Sequence, residues 1–139
     1  HAGKGKGELI GGNLSLINTL MGTPYEIETK GKILFIEDVG EAPYRIDRYF
    51  SQLRMAGKFD HLKGAILGKF TRRAKEPPDD DNSFTMMRVL EQYFSNLGVP
   101  VIANFPIGHY KYNVSFPIGV MAEIDADKQT VRILENPTQ

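Results

Sequence analysis

The 139-residue chain is 41% hydrophobic and 24% charged, the make-up of one soluble domain with a core large enough to fold unaided, which excludes disordered and fibrous classes. Lys plus Arg (17) equals Asp plus Glu (17), so no net charge draws the chain to nucleic acid or to an anionic membrane. With no cysteine, disulfide frameworks, zinc ribbons and thiol catalysis are excluded, and no apolar run approaches the roughly 20 residues that span a bilayer.

Residues 1–7, His-Ala-Gly-Lys-Gly-Lys-Gly, carry so much backbone freedom that they read as a flexible linker. Gly11-Gly12-Asn13 leads into Leu14, Leu16, Ile17, Leu20 and Met21, a short helix with Asn13 as its N-cap, stopped at Gly22. Ile33 to Ile36 are four consecutive apolar residues, a strand covered on both faces. A helix follows Pro43 with Ile46, Tyr49, Phe50 and Leu53 on one side. Gly64 to Gly68 predict a second buried strand. Arg72 to Asn82 read as a charged surface loop, and a third helix presents Met86, Val89, Leu90, Tyr93 and Leu97. Pro100 to Ala103 predict a third strand, and Pro117 to Asp125 with Thr130 to Leu134 a hairpin. Strands alternating with helices and ending in a hairpin predict an α/β fold with a mixed sheet.

Several chemistries fail on spacing. A phosphate loop needs Gly five places before its Gly-Lys and a hydroxyl after it; Gly57-Lys58 and Gly68-Lys69 have Gln52 and Lys63 there, and neither Lys precedes Ser or Thr. The three histidines form no close pair, and Asp79-Asp80-Asp81 lacks a cation-loop spacing, so no metal is expected. Glu37 and His109 differ from these because each follows a predicted parallel strand, and groups at the carboxyl ends of such strands gather on one rim of the sheet. A carboxylate that fixes one tautomer of a histidine leaves the other ring nitrogen as a general base. The plainer alternative makes Glu37 a helix cap and His109 a turn residue. Of the available serines, Ser15, Ser51, Ser83, Ser95 and Ser115, none sits in a Gly-x-Ser-x-Gly turn; Ser115, six residues after His109, is the best placed. The residues thus supply an acid and a base without a nucleophile.

The segments Gly11 to Ser15, Gly22 to Tyr25, Ile33 to Arg48, Gln52 to Asp60, Ala65 to Phe70, Gly108-His109 and Pro117 to Gly119 together resemble, in order and along almost the whole chain, the carboxy-terminal half of the LD-carboxypeptidases. These are the muramoyl-tetrapeptide carboxypeptidases, related to the microcin C immunity peptidases. The resemblance implies a single domain over 1–139 of three-layer, swivelling β/β/α type, with a mixed and partly barrel-like sheet. It also implies a Ser-Glu-His triad split between two domains, with Glu37 as acid and His109 as base here and the serine in an amino-terminal domain outside this chain. Glu41 is the second candidate acid, and Gly11, Gly12 and Asn13 match a segment near the interdomain cleft, implying a part in substrate binding. The implied reaction removes terminal D-Ala from cytoplasmic muramoyl tetrapeptides in peptidoglycan recycling, without a cofactor, the isolated chain being inactive. Implied partners are the muropeptide, the amino-terminal domain and a second copy in a homodimer. The alternatives are an immunity-type peptidase acting on a peptidyl-nucleotide and a non-catalytic peptide-binding module.

Overall fold

A computed structural model describes residues 1–71 and 85–136. Six strands and three helices run in the order β1 (Lys4–Asn13), α1 (Leu14–Thr19), β2 (Ile33–Val39), α2 (Pro43–Met55), β3 (Gly64–Thr71), α3 (Met86–Phe94), β4 (Val101–Ile102), β5 (Met121–Asp125) and β6 (Thr130–Ile133). They form one mixed sheet in the order β4-β3-β2-β1-β5-β6. β1 through β4 run parallel to one another, while β5 pairs antiparallel with both β1 and β6. The expected α/β architecture with a mixed, curled half-barrel sheet is the one observed.

β2 is buried on both sides because strand alternation divides its apolar residues between two cores. Leu34 and Ile36 join Ile46, Phe50, Leu53, Val89 and Tyr93 beneath the helices. Ile33 and Phe35 join Leu9, Ile66, Ile107 and Ile124 on the opposite side. α2 opens on Pro43, where the missing N–H costs nothing, and buries Ile46, Phe50 and Leu53. The cap of α3 is Thr85, whose hydroxyl accepts from the Arg88 N–H. Ser83 and the charged Arg72–Asn82 stretch lie outside the described residues.

The linker expected at residues 1–7 is corrected by the structure: Lys4 to Gly7 are the first half of β1. That half pairs with β5, Lys4 opposite Asp125 and Gly7 opposite Ala122, whereas Leu9 to Asn13 pair with β2. The change of partner along one strand is where the sheet curls. The glycines there answer crowding. A Cβ on Gly5 would overlap the Lys63 carbonyl and lie 3.1 Å from Pro100 Cγ, and one on Gly7 would lie 2.9 Å from the Gly31 carbonyl oxygen. The curl also presses Ile124 of β5 against Gly64 of β3, although two strands lie between them in the sheet. The hairpin begins at Met121, later than the predicted Pro117, and α3 stops at Phe94, leaving Leu97 packed against the helix-side core from beyond its end.

Candidate active site

The last turn of β2 places two carboxylates on opposite sides of the sheet. Alternation puts Glu37 on the side of Ile33 and Phe35, and Asp38 on the helix side, under the start of α1. Both are buried, at 5% and 2% exposure. The room for Glu37 comes from β3, which slips register here. Leu67 pairs with Ile36 and Phe70 with Asp38, so Gly68 and Lys69 together face the one residue between, as in a β-bulge.

The segment after β4 crosses this bulge. Phe105 donates its N–H to the Leu67 carbonyl at 3.0 Å, and the Lys69 N–H donates to the Ile107 carbonyl at 3.1 Å. Gly68 permits the crossing, because a Cβ there would lie 2.8 Å from the Ile107 oxygen. Gly108 then passes over Glu37 at φ +103°, where a Cβ would stand 2.5 Å from Glu37 Oε2, so both its backbone angle and its lack of a side chain are needed. Immediately beyond, His109 donates twice to that same oxygen, from its backbone N–H at 3.1 Å and from Nδ1 at 2.9 Å.

With Nδ1 committed to a carboxylate, the neutral ring holds its proton there, and Nε2 is the free acceptor. The ring itself is 59% exposed. The Glu37 hydrogen bond, reinforced by the carboxylate charge, raises the His109 pKa above the ordinary imidazole value. Asp38 is shifted upward too, because burial penalises its charge; the N–H groups of Val39 and Ser15 and the amide of Asn13 oppose that shift.

The candidate residues separate clearly. Glu37 meets His109, whereas Glu41 pairs with Arg45 at 3.1 Å, one turn apart at the start of α2. Asn13 caps α1 as expected, accepting from the Leu16 N–H, and its Nδ2 also reaches Glu37 Oε1 at 3.2 Å and Asp38 Oδ1 at 3.3 Å. That link was not legible in the sequence. Gly11 packs its backbone against β2, where a Cβ would overlap the Phe35 carbonyl, while Gly12 faces open space. Ser115 lines a separate hollow with Phe116, Pro117, Ile133 and Glu135, and no hydrogen bond joins it to His109. An apolar hollow of about 350 Å³ between α3 and β4, lined by Leu67, Met87, Leu90, Phe94 and Val101, contains neither Glu37 nor His109. Among the described residues no set of three or more His, Asp or Glu is placed to hold a metal ion, and no helix is long and apolar enough to cross a membrane. Asp79, Asp80 and Asp81 lie outside those residues.

Known proteins share this frame. The family model of the LD-carboxypeptidase C-terminal domain matches residues 6–124. The Probable murein peptide carboxypeptidase of Bacillus subtilis (strain 168) is 42% identical over 131 residues, covering 94% of this chain and 40% of that protein. The Microcin C7 self-immunity protein MccF of Escherichia coli is 32% identical over 139 residues, covering 96% of this chain and 38% of that protein. A muramoyltetrapeptide carboxypeptidase from Oxalobacter formigenes superposes with a TM-score of 0.82 at 32% identity, over 96% of this chain and 46% of its own. MccF in complex with aspartyl sulfamoyl adenosine also reaches 0.82, at 30% identity over all of this chain and 41% of its own. The chain spans about two fifths of the length of the curated relatives it matches. With the family model matched along most of the sequence, the chain belongs to the LD-carboxypeptidase family, as its carboxy-terminal domain.

Proposed function

We propose that this chain supplies the acid and the base of a serine-type L,D-carboxypeptidase whose nucleophile comes from an amino-terminal domain outside the sequence. The observation that carries the reading is Glu37 Oε2 holding both N–H groups of His109 while Nε2 stays uncommitted among the described residues. In the proposed cycle, His109 Nε2 takes the proton of the incoming serine hydroxyl as its oxygen attacks the scissile carbonyl, and Glu37 stabilises the imidazolium. The imidazolium then protonates the departing amine of D-Ala. Water, deprotonated by the same nitrogen, releases the acyl group and restores the serine. The substrate is the amide between the L-centre of a diamino acid and terminal D-Ala in a muramoyl tetrapeptide, cleaved in the cytoplasm during peptidoglycan recycling.

D-Ala release by the full-length protein tests this. His109→Ala is expected to lower turnover by about 10⁶-fold, the scale of losing a triad histidine, while thermal unfolding stays cooperative. Undiminished release by that variant rules the reading out. Likeness to MccF bound to aspartyl sulfamoyl adenosine favours a second reading, a peptidase acting on peptidyl-nucleotides. Cleavage of an aminoacyl sulfamoyl adenosine without D-Ala release from the tetrapeptide would select it.

A further inference from the structure

The acid of the site has two oxygens, and His109 uses one. The other, Oε1, takes a hydrogen from Asn13 Nδ2, and the second hydrogen of the same NH₂ group goes to Asp38. Asn13 stands directly opposite Glu37 in the β1–β2 register, so the reach is short. Its carbonyl end is equally committed. Oδ1 accepts the Ser15 hydroxyl at 2.7 Å and the Leu16 N–H at 3.2 Å. Two donors on one side and two acceptors on the other fix which way the amide faces. Helix capping alone would not demand asparagine, since aspartate and serine cap about as well. What only asparagine combines here is a capping oxygen and a donor for two buried carboxylates.

We propose that Asn13 is a positioning residue for the acid–base pair: anchored by the first turn of α1, its amide holds Glu37 so that Oε2 faces His109, and it bridges Glu37 to the like-charged Asp38 beside it. This rests on the reading of Glu37 and His109 as acid and base. Asp38 is itself anchored at both oxygens, by the Ser15 N–H at 2.9 Å and the Val39 N–H at 2.7 Å, so the bridge ends on a fixed group. Asn13 therefore acts through Glu37, without touching the reacting atoms.

The test uses the full-length protein and D-Ala release from the tetrapeptide, with Asn13→Ser, Asn13→Asp and Glu37→Gln measured beside the parent. Asn13→Ser keeps a capping oxygen and loses both donors. Its kcat is expected to fall about 10- to 100-fold, the scale seen when partners that orient metal-bound histidines are removed, with KM changed less than about threefold. Asn13→Asp keeps the cap and sets a third carboxylate against two others. Its added charge is expected to move the acidic limb of kcat/KM to higher pH by stabilising the imidazolium. The charges bearing on His109 are Glu37 and Asp38 from β2, with Lys69 of β3 held over the adjacent Tyr110 ring at 5.5 Å; Glu41 acts on Asp38 from the start of α2. None of these is altered in the Asn13 variants.

A purely capping role would leave both Tm and kcat of Asn13→Ser near the parent's, since serine keeps the cap. A substrate contact would raise KM and leave the limb alone. Either result overturns the proposal. Adding Asn13→Ser to Glu37→Gln should cost much less than it does alone, because the group being positioned is already gone; full additivity also overturns it. If Glu37→Gln changes nothing, the acid–base reading fails and the positioning role falls with it. If Glu37→Gln is impaired and Asn13→Ser is not, only the positioning role fails.

Discussion

At the scale of single residues, the site depends on what one carboxylate oxygen accepts. Glu37 Oε2 receives two N–H groups from His109 and, among the described residues, none from elsewhere, so the imidazolium is favoured in the folded chain and its pKa lies above that of the unfolded one. The sign for stability follows from linkage. A raised folded-state pKa contributes stability in full below the unfolded value of about 6.5, and loses it as pH rises through the folded value. The stability gap between the parent and His109→Ala should therefore be wider at pH 6 than at pH 9, as read from thermal unfolding at both. The gap is expected to be small because the ring is largely exposed, and one that does not narrow would mean that the pair is not charged in the way described. The meeting of Glu37 and His109 was legible in the sequence because Glu37 ends the apolar run of one parallel strand and His109 follows another, although β2 itself runs on to Val39. Asn13 was legible only as a cap, because its carboxylate partners lie across the β1–β2 pairing and two faces of β2 must be seen at once.

At the scale of elements, apolar runs and helix spacing located β2, α2, β3 and α3, since each buries a continuous run or one stripe. β1 escaped because its first half has no apolar pattern to read: Lys and Gly alternate, and the glycines are there for a neighbouring backbone. Composition says "flexible" while tertiary crowding requires "small", and a sequence shows only the former. Gly5→Ala separates the two readings. A linker residue would tolerate alanine; a Cβ overlapping the Lys63 carbonyl should destabilise by about 1–3 kcal/mol, the usual cost of overpacking, seen as a lower Tm in the full-length protein. The β3 bulge was equally hidden, because Gly68 carries no sign in the sequence that another segment crosses it.

Over the whole molecule, two cores divide the labour. The helix side is aromatic, with Phe50 fully buried and its ring 5.2 Å from Phe94, 5.3 Å from Tyr93 and 6.0 Å from Phe70. The other side holds Phe35, Ile107 and Phe116 beneath the segment that delivers His109. Phe50→Ala should cost about 3–5 kcal/mol while the surviving folded fraction of the full-length protein keeps its kcat for the proposed D-Ala release, as titrated activity against unfolded fraction would show. A parallel fall in kcat would mean that the cores are coupled.

The change of partner along β1 also bears on how the chain is made. Lys4 to Glu8 are made more than a hundred residues before their partners, Met121 to Asp125. Until that partner is made this half-strand is an open edge, with unpaired N–H and C=O groups along one side, the kind of surface on which other chains nucleate aggregation. Contacts of such long sequence separation also slow folding. Lys4 and Lys6, alternating with glycines too small to zip against a stranger's side chains, guard that edge until β5 arrives.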